Sequence, residues 1–94
     1  MTTIARRLVI RGRVQGVGYR YAMVGAARHA GVHGWVRNLP DGTVEAFVQG
    51  DGEAVLAIVA WSERGPPGAE VSAVEVADAT PDASLEGFET RRGH

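Results

Sequence analysis

The chain has 94 residues with 45% apolar and 22% charged side chains, a size and balance that fit one folded globular domain over residues 1–94 and exclude a second core. It contains no cysteine, which excludes disulfides and thiolate metal sites, and its net charge of -1 argues against a dedicated nucleic-acid binder. The longest apolar run, Ala54 to Trp61, is far short of the ~20 residues that span a bilayer, and Met1 to Arg7 shows no apolar block ahead of a cleavage site, so a cytoplasmic protein with no membrane association is expected.

Residues Arg7 to Val14 alternate, with Leu8, Ile10 and Val14 on one face and Arg7, Val9, Arg11 and Arg13 on the other, which predicts a strand buried on one side. The glycine-rich Gln15-Gly16-Val17-Gly18-Tyr19 then lets the chain turn sharply. Arg20 to Ala30 reads as a helix with Met23, Ala26, Ala27 and Ala30 on one stripe, stopped by Gly31. Gly34 to Asn38 and Thr43 to Gln49 read as short strands joined by the turn Leu39-Pro40-Asp41-Gly42. Asp51 is placed to cap a second helix running to about Glu63, with Val55, Ile58, Val59 and Ser62 on its stripe. After the loop Gly65-Pro66-Pro67-Gly68, Glu70 to Val76 reads as a strand and Leu85 to Arg91 as a short last one. Two strand–helix–strand halves in this order predict an α+β, ferredoxin-like split βαβ sandwich: an antiparallel sheet of four to five strands with two helices on one face.

All ten basic residues are arginine, and Arg6, Arg7, Arg11, Arg13, Arg20 and Arg28 fall in the first third. Arginine offers oxyanions a planar fork of donors, so this end of the chain suits an anionic group, although a general bias toward arginine would give the same count. At Gly16 to Arg20, glycines, a helix start with free N–H donors, the positive end of the helix dipole and the Arg20 fork coincide. That combination suits a tetrahedral oxyanion; a tight turn alone is the other reading. A nucleoside-triphosphate loop is excluded because the chain has no lysine, and a dinucleotide fingerprint because Tyr21 stands where the third glycine belongs. Asn38 ends a strand before a hairpin, where asparagine serves either as a turn former or as a polar site residue.

His29, His33 and His94 have no ligand spacing and read as solvated residues, so no metal site is expected. No Ser/His/Asp triad or carboxylate pair can be assembled; Asp41 reads as turn chemistry and Glu45 as the polar face of a strand. A hydrolase built from these residues would lack a general acid. Such a site fits an acyl phosphate, whose leaving group is a carboxylate, the base of an acid with pKa near ~4, and departs without protonation.

Gly12-Arg13-Val14-Gln15-Gly16-Val17-Gly18-Tyr19-Arg20 resembles the first signature of the acylphosphatase family, and Gly34-Trp35-Val36-Arg37-Asn38 with Asp41-Gly42-Thr43-Val44-Glu45 resembles its second. The resemblance continues through Trp61, Gly65-Pro66 and Phe88. It implies a ferredoxin-like fold and hydrolysis of acyl phosphates to a carboxylate and inorganic phosphate, with no metal or cofactor. It puts the phosphate-binding arginine at Arg20, supported by the backbone N–H groups of Gln15, Gly16, Val17, Gly18 and Tyr19, and the water-orienting asparagine at Asn38. Inorganic phosphate is then a product and an expected competitive ligand, and a monomer is the simplest state. Tyr19 stands where phenylalanine is also common in the family, and the end Arg91-Arg92-Gly93-His94 lacks the usual apolar and aromatic residues. Two readings compete: an RNA-binding module using Phe47 on the outward sheet face, which one aromatic beside an acid serves poorly, and a catalytically silent ligand-binding domain.

Overall fold

A computed structural model describes residues 2–92. Alternating and helix-spaced apolar residues become seven elements: β1 (Thr3–Arg13), α1 (Tyr19–Ala30), β2 (His33–Asn38), β3 (Val44–Asp51), α2 (Gly52–Ser62), β4 (Glu70–Ala79) and β5 (Phe88–Arg91). The strands form one sheet in the order β4-β1-β3-β2-β5. Each helix connects two strands that flank a third, β3 between β1 and β2, and β1 between β3 and β4, which is the expected ferredoxin-like arrangement. Four strands pair antiparallel, whereas β5 runs parallel to β2, so the sheet is mixed. The cause is topological. β4 runs opposite to β2, and the chain reverses once while crossing to the far edge, so it arrives in the direction of β2.

The even-numbered side chains Leu8, Ile10, Val36, Val44, Ala46 and Val48 face the helices and are buried with Met23 and Ala27 of α1, Val55 and Ile58 of α2, and Phe88 of β5. Of the predicted α1 stripe, Ala26 and Ala30 are only partly buried, and Tyr19 joins it from the N-terminal end. The helix stops as predicted: Gly31 N donates to Arg28 O and Val32 N to Ala27 O, satisfying carbonyls that the ended helix leaves open. Asp51 precedes α2, but its side chain makes no capping hydrogen bond.

The strand ends differ from the sequence reading where pairing overrides pattern. β1 begins at Thr3 and β4 runs on to Ala79 because each finds a partner there, Thr3 opposite Asp51 and Ala79 opposite Ala5. β5 starts at Phe88, not Leu85, because Ser84 donates to the Asp82 carboxylate and Leu85 N to Asp82 O, a turn that holds Leu85 out of the sheet. The expected solvation of His94, and the chain end at Gly93-His94, lie outside the described residues.

Gly34 admits no other residue. Its φ is 144°, and a Cβ there would lie 1.8 Å from Phe47 O on the neighbouring strand. This close approach lets β2 and β3 stay in register down to Asn38 opposite Val44.

On the face without helices, Glu45 is not merely polar strand surface. It is 4% exposed, accepting from Arg7 Nε and Arg37 Nε at 2.6 Å each. Phe47 lies on this face as expected, but Trp35 stacks against it at a centroid distance of 6.2 Å, and Arg37 and Arg91 lie over the Trp35 ring. The β4–β5 connection is fastened to the same face by Gln49, whose side chain donates to Asp82 O at 2.8 Å and accepts from Asp82 N at 2.7 Å.

Candidate active site

The β1–α1 turn is shaped by glycines that alone adopt positive φ without strain: Gly16 at 74° and Gly18 at 79°. Gly18 stands at the N-cap of α1 and has no side chain with which to cap it, and the first turn carries no acidic residue. The first intrahelical bond runs from Ala22 N to Gly18 O, so the N–H groups ahead of Ala22 have no helical partner. Among the described residues, none of the N–H groups from Gln15 to Gly18 donates a turn or loop bond to another backbone group. The positive end of the helix dipole is therefore uncompensated and surrounded by open donors.

Arg20 lies in the first turn of α1, partly buried. Arg6 and Arg37 are also partly buried, and each has a carboxylate partner, Asp78 and Glu45 respectively. Among the described residues Arg20 has no ion-pair partner. A partly desolvated cation without a counter-charge favours binding an anion.

Asn38 reaches the same place from the end of β2. Its Oδ1 is buried without a hydrogen-bond partner among the described residues. Leaving such a group unpaired costs about 1–3 kcal/mol, which folding alone gives no reason to retain. A cavity of about 250 Å³ brings the predicted Gly16, Gly18, Tyr19, Arg20 and Asn38 together, with Val14 and Tyr21 completing its wall.

Gln15 and Val17 stand beside this cavity rather than in its wall. The Gln15 side chain turns to the β2–β3 hairpin, where Nε2 donates to Leu39 O at 2.8 Å and Thr43 O at 2.9 Å. Val17 packs against the core and near Gly68. The bridging role of Gln15 and the wall position of Tyr21 are missed by sequence reasoning, although an amide inside a glycine turn and an aromatic next to Arg20 are signals for each.

Two further contacts hold the walls. Tyr19 is buried, its ring 5.4 Å from that of Trp61, and its hydroxyl donates to Ser62 O at 2.7 Å, tying the start of α1 to the end of α2. Burial pushes the Tyr19 hydroxyl pKa up. On the other wall, Asp41 Oδ1 accepts from Thr43 Oγ1 at 2.6 Å and Thr43 N at 3.0 Å, as turn chemistry requires. Those two bonds hold the Asp41 carboxyl below its ordinary pKa. Among the described residues no three His, Asp or Glu side chains lie close enough together to hold a metal ion.

The acylphosphatase family model matches residues 6–90. An acylphosphatase of Thermococcus kodakarensis is 56% identical over 88 residues, covering 94% of this chain and 96% of that protein. An acylphosphatase of Acidovorax is 54% identical over 89 residues, covering 95% of this chain and 91% of that one. The crystal structure of acylphosphatase from Bacillus subtilis superposes with a TM-score of 0.89 at 31% identity, over 94% of this chain and 98% of that one. With the match running through both walls of the cavity, the chain belongs to the acylphosphatase family, whose members hydrolyse acyl phosphates to a carboxylate and inorganic phosphate.

Proposed function

We propose that hydrolysis takes place in the cavity between the β1–α1 turn and the end of β2, with Arg20 holding the phosphoryl group and Asn38 holding the attacking water. The observation that carries this reading is the pairing, around one cavity, of a partly buried arginine lacking an ion-pair partner and an asparagine whose buried amide oxygen lacks a hydrogen-bond partner, both among the described residues. The Arg20 fork and the N–H groups of Gly16, Gly18 and Tyr19, which border the cavity, take the three non-bridging phosphoryl oxygens, with the N–H groups of Gln15 and Val17 next to them along the same turn. Asn38 Oδ1 accepts a hydrogen bond from a water and points its oxygen at phosphorus, in line with the bridging P–O bond. As the water oxygen bonds to phosphorus, the bridging bond breaks and the carboxylate leaves with the electron pair. The water's proton passes to a phosphoryl oxygen of the substrate. Because the carboxylate leaves unprotonated, neither a general acid nor a metal is required, and fixed charge carries the catalysis.

The chain acts in this reading as one unit over residues 1–94, as a cytoplasmic monomer that takes a small acyl phosphate and no nucleic acid. Inorganic phosphate competes for the cradle. No helix among the described residues is long and apolar enough to cross a membrane. Two features speak against base stacking on the open sheet face: Phe47 is engaged by Trp35, and Glu45 neutralises charge from Arg7 and Arg37.

The test is hydrolysis of benzoyl phosphate by the purified protein, with and without chelator, beside Arg20→Lys and Asn38→Ala. Chelator-resistant turnover that falls at least ~100-fold in each folded variant supports the assignment, since removing one charge-stabilising donor costs about that much. Wild-type turnover in either variant would refute the role given to that residue.

A further inference from the structure

The phosphoryl end of an acyl phosphate is accounted for by the cradle, whereas the acyl end has been given no partner. One bridging oxygen separates phosphorus from the acyl carbon, so a substrate held at Arg20 must extend its acyl group out through the mouth of the same cavity. Of the seven residues in the wall, Val14 and Tyr19 are each 1% exposed and belong to the core, and the Tyr19 hydroxyl is occupied by Ser62 O. Gly16 and Gly18 have no side chains. Arg20 and Asn38 are assigned to the phosphoryl group and the water. That leaves Tyr21, which is 79% exposed yet lines the cavity, one residue beyond Arg20 in the first turn of α1. Tyr21 therefore borders the cavity while most of its surface stands in water.

We propose that Tyr21 is the acyl-side wall of the site and a specificity-determining residue, favouring acyl phosphates with aryl or extended apolar acyl groups over those with acetyl-sized ones. This rests on the phosphate-site reading above. A planar acyl group leaving the cradle can lie offset or edge-on against the ring, removing apolar surface of both partners from water. An acetyl group offers a single methyl and gains little. The position on a helix, not a loop, fixes the ring's origin relative to Arg20, so the contact is set when the phosphoryl group seats.

The deciding experiment compares kcat/KM for benzoyl phosphate and acetyl phosphate in the wild type, Tyr21→Ala and Tyr21→Phe, together with the inhibition constant of inorganic phosphate. The ratio of benzoyl to acetyl kcat/KM should fall roughly 2- to 12-fold in Tyr21→Ala, the worth of one aromatic contact, and the fall should lie in KM. Tyr21→Phe should restore the ratio, because the ring and not the hydroxyl makes the contact, and phosphate inhibition should hold steady across all three. An unchanged ratio in Tyr21→Ala overturns the proposal. So does a weakening of phosphate inhibition that moves both substrates equally, which would put Tyr21 in the phosphate cradle instead. Wild-type turnover of both substrates by Arg20→Lys would be a different failure, that of the phosphate site itself.

Discussion

Gln15→Ala would remove the two hydrogen bonds that join the β1–α1 turn to the β2–β3 hairpin, donated from Nε2 to Leu39 O and Thr43 O. Neither carbonyl would be stranded, because Leu39 O also accepts from Gly42 N and Thr43 O from Leu39 N. The cost is therefore the net worth of two bonds, not of two desolvated acceptors, and amounts to ~1–3 kcal/mol. In a domain of this size a loss of ~2 kcal/mol lowers Tm by about 8–16 °C. The effect on rate has a separate origin. Gln15 lies in the turn that leads into Arg20, and Leu39 directly follows Asn38, so the clamp sets the separation of the groups proposed to hold phosphoryl and water. A displacement of about 1 Å between such groups can cost ~100-fold in rate. Thermal unfolding and steady-state hydrolysis of benzoyl phosphate, run well below Tm, separate the two effects. We expect kcat to fall at least ~10-fold while the inhibition constant of phosphate, which in the proposed site depends on the turn and Arg20, moves by less than ~3-fold. Gln15→Glu should be worse on both counts, since it sets a carboxylate against two carbonyl oxygens. Lost stability with wild-type kcat in Gln15→Ala would reduce the clamp to a structural tie and refute the coupling; wild-type Tm would refute the energetic worth of the bonds themselves.

Three further outcomes are expected. Asn38→Ala should lose no more than ~1 kcal/mol in urea unfolding, because the buried Oδ1 it deletes has no hydrogen bond among the described residues; a loss above ~2 kcal/mol would mean that Oδ1 stabilises the fold. Glu45→Ala should cost ~1–3 kcal/mol, below the ~3–5 of a fully buried pair because the Arg7 and Arg37 side chains are 54% and 28% exposed. Arg11→Ala, which breaks the exposed pair with Glu75, should cost under ~1 kcal/mol, and equal losses in the two would refute the burial argument. The Asp41 carboxyl should titrate below its ordinary value by NMR. A carboxyl whose pKa is depressed on folding contributes stability above its unfolded pKa and loses it as pH falls through the folded value. The hairpin contribution should thus persist at mildly acidic pH, and an Asp41 midpoint at or above ~3.9 would show that the Thr43 bonds do not favour the charged form.

The fold was legible wherever periodicity was strong. Leu8, Ile10 and Val14 alternate, the second helix carries its stripe, and Gly31 ends α1 as its chemistry dictates. What escaped depends on partners distant in sequence. Nothing near Ala79 announces that it meets Ala5, and nothing near Phe88 announces a parallel pairing with β2. Glu45 read as ordinary strand surface because its neutralising arginines arrive from β1 and β2, 38 and 8 residues away. In the candidate site, glycines, helix start and arginine lie within five consecutive residues, so their meeting at one cavity could be read locally. Gln15 could not, since a side-chain amide can turn inward to a ligand or outward to a hairpin, and only the hairpin's position decides.

The cavity wall is also where the molecule departs from its own habits. The partly buried Arg6 and Arg37 have carboxylates, and the buried polar side chains of Glu45, Gln49 and Ser62 are all hydrogen bonded. The helix N-terminus that carries no acid, the arginine that among the described residues has no counter-ion, and the asparagine whose buried amide oxygen has no donor among them all border a single cavity. Each alone is a small destabilisation that sequence drift could remove by one substitution, such as an aspartate at the first turn of α1. Such an aspartate would stabilise the helix by ~0.3–1 kcal/mol and repel the phosphoryl group from the same N–H donors. Stability and substrate binding compete for one set of positive potential, and in the site proposed above the three groups are left unsatisfied together so that a ligand, not the chain's own side chains, fills it.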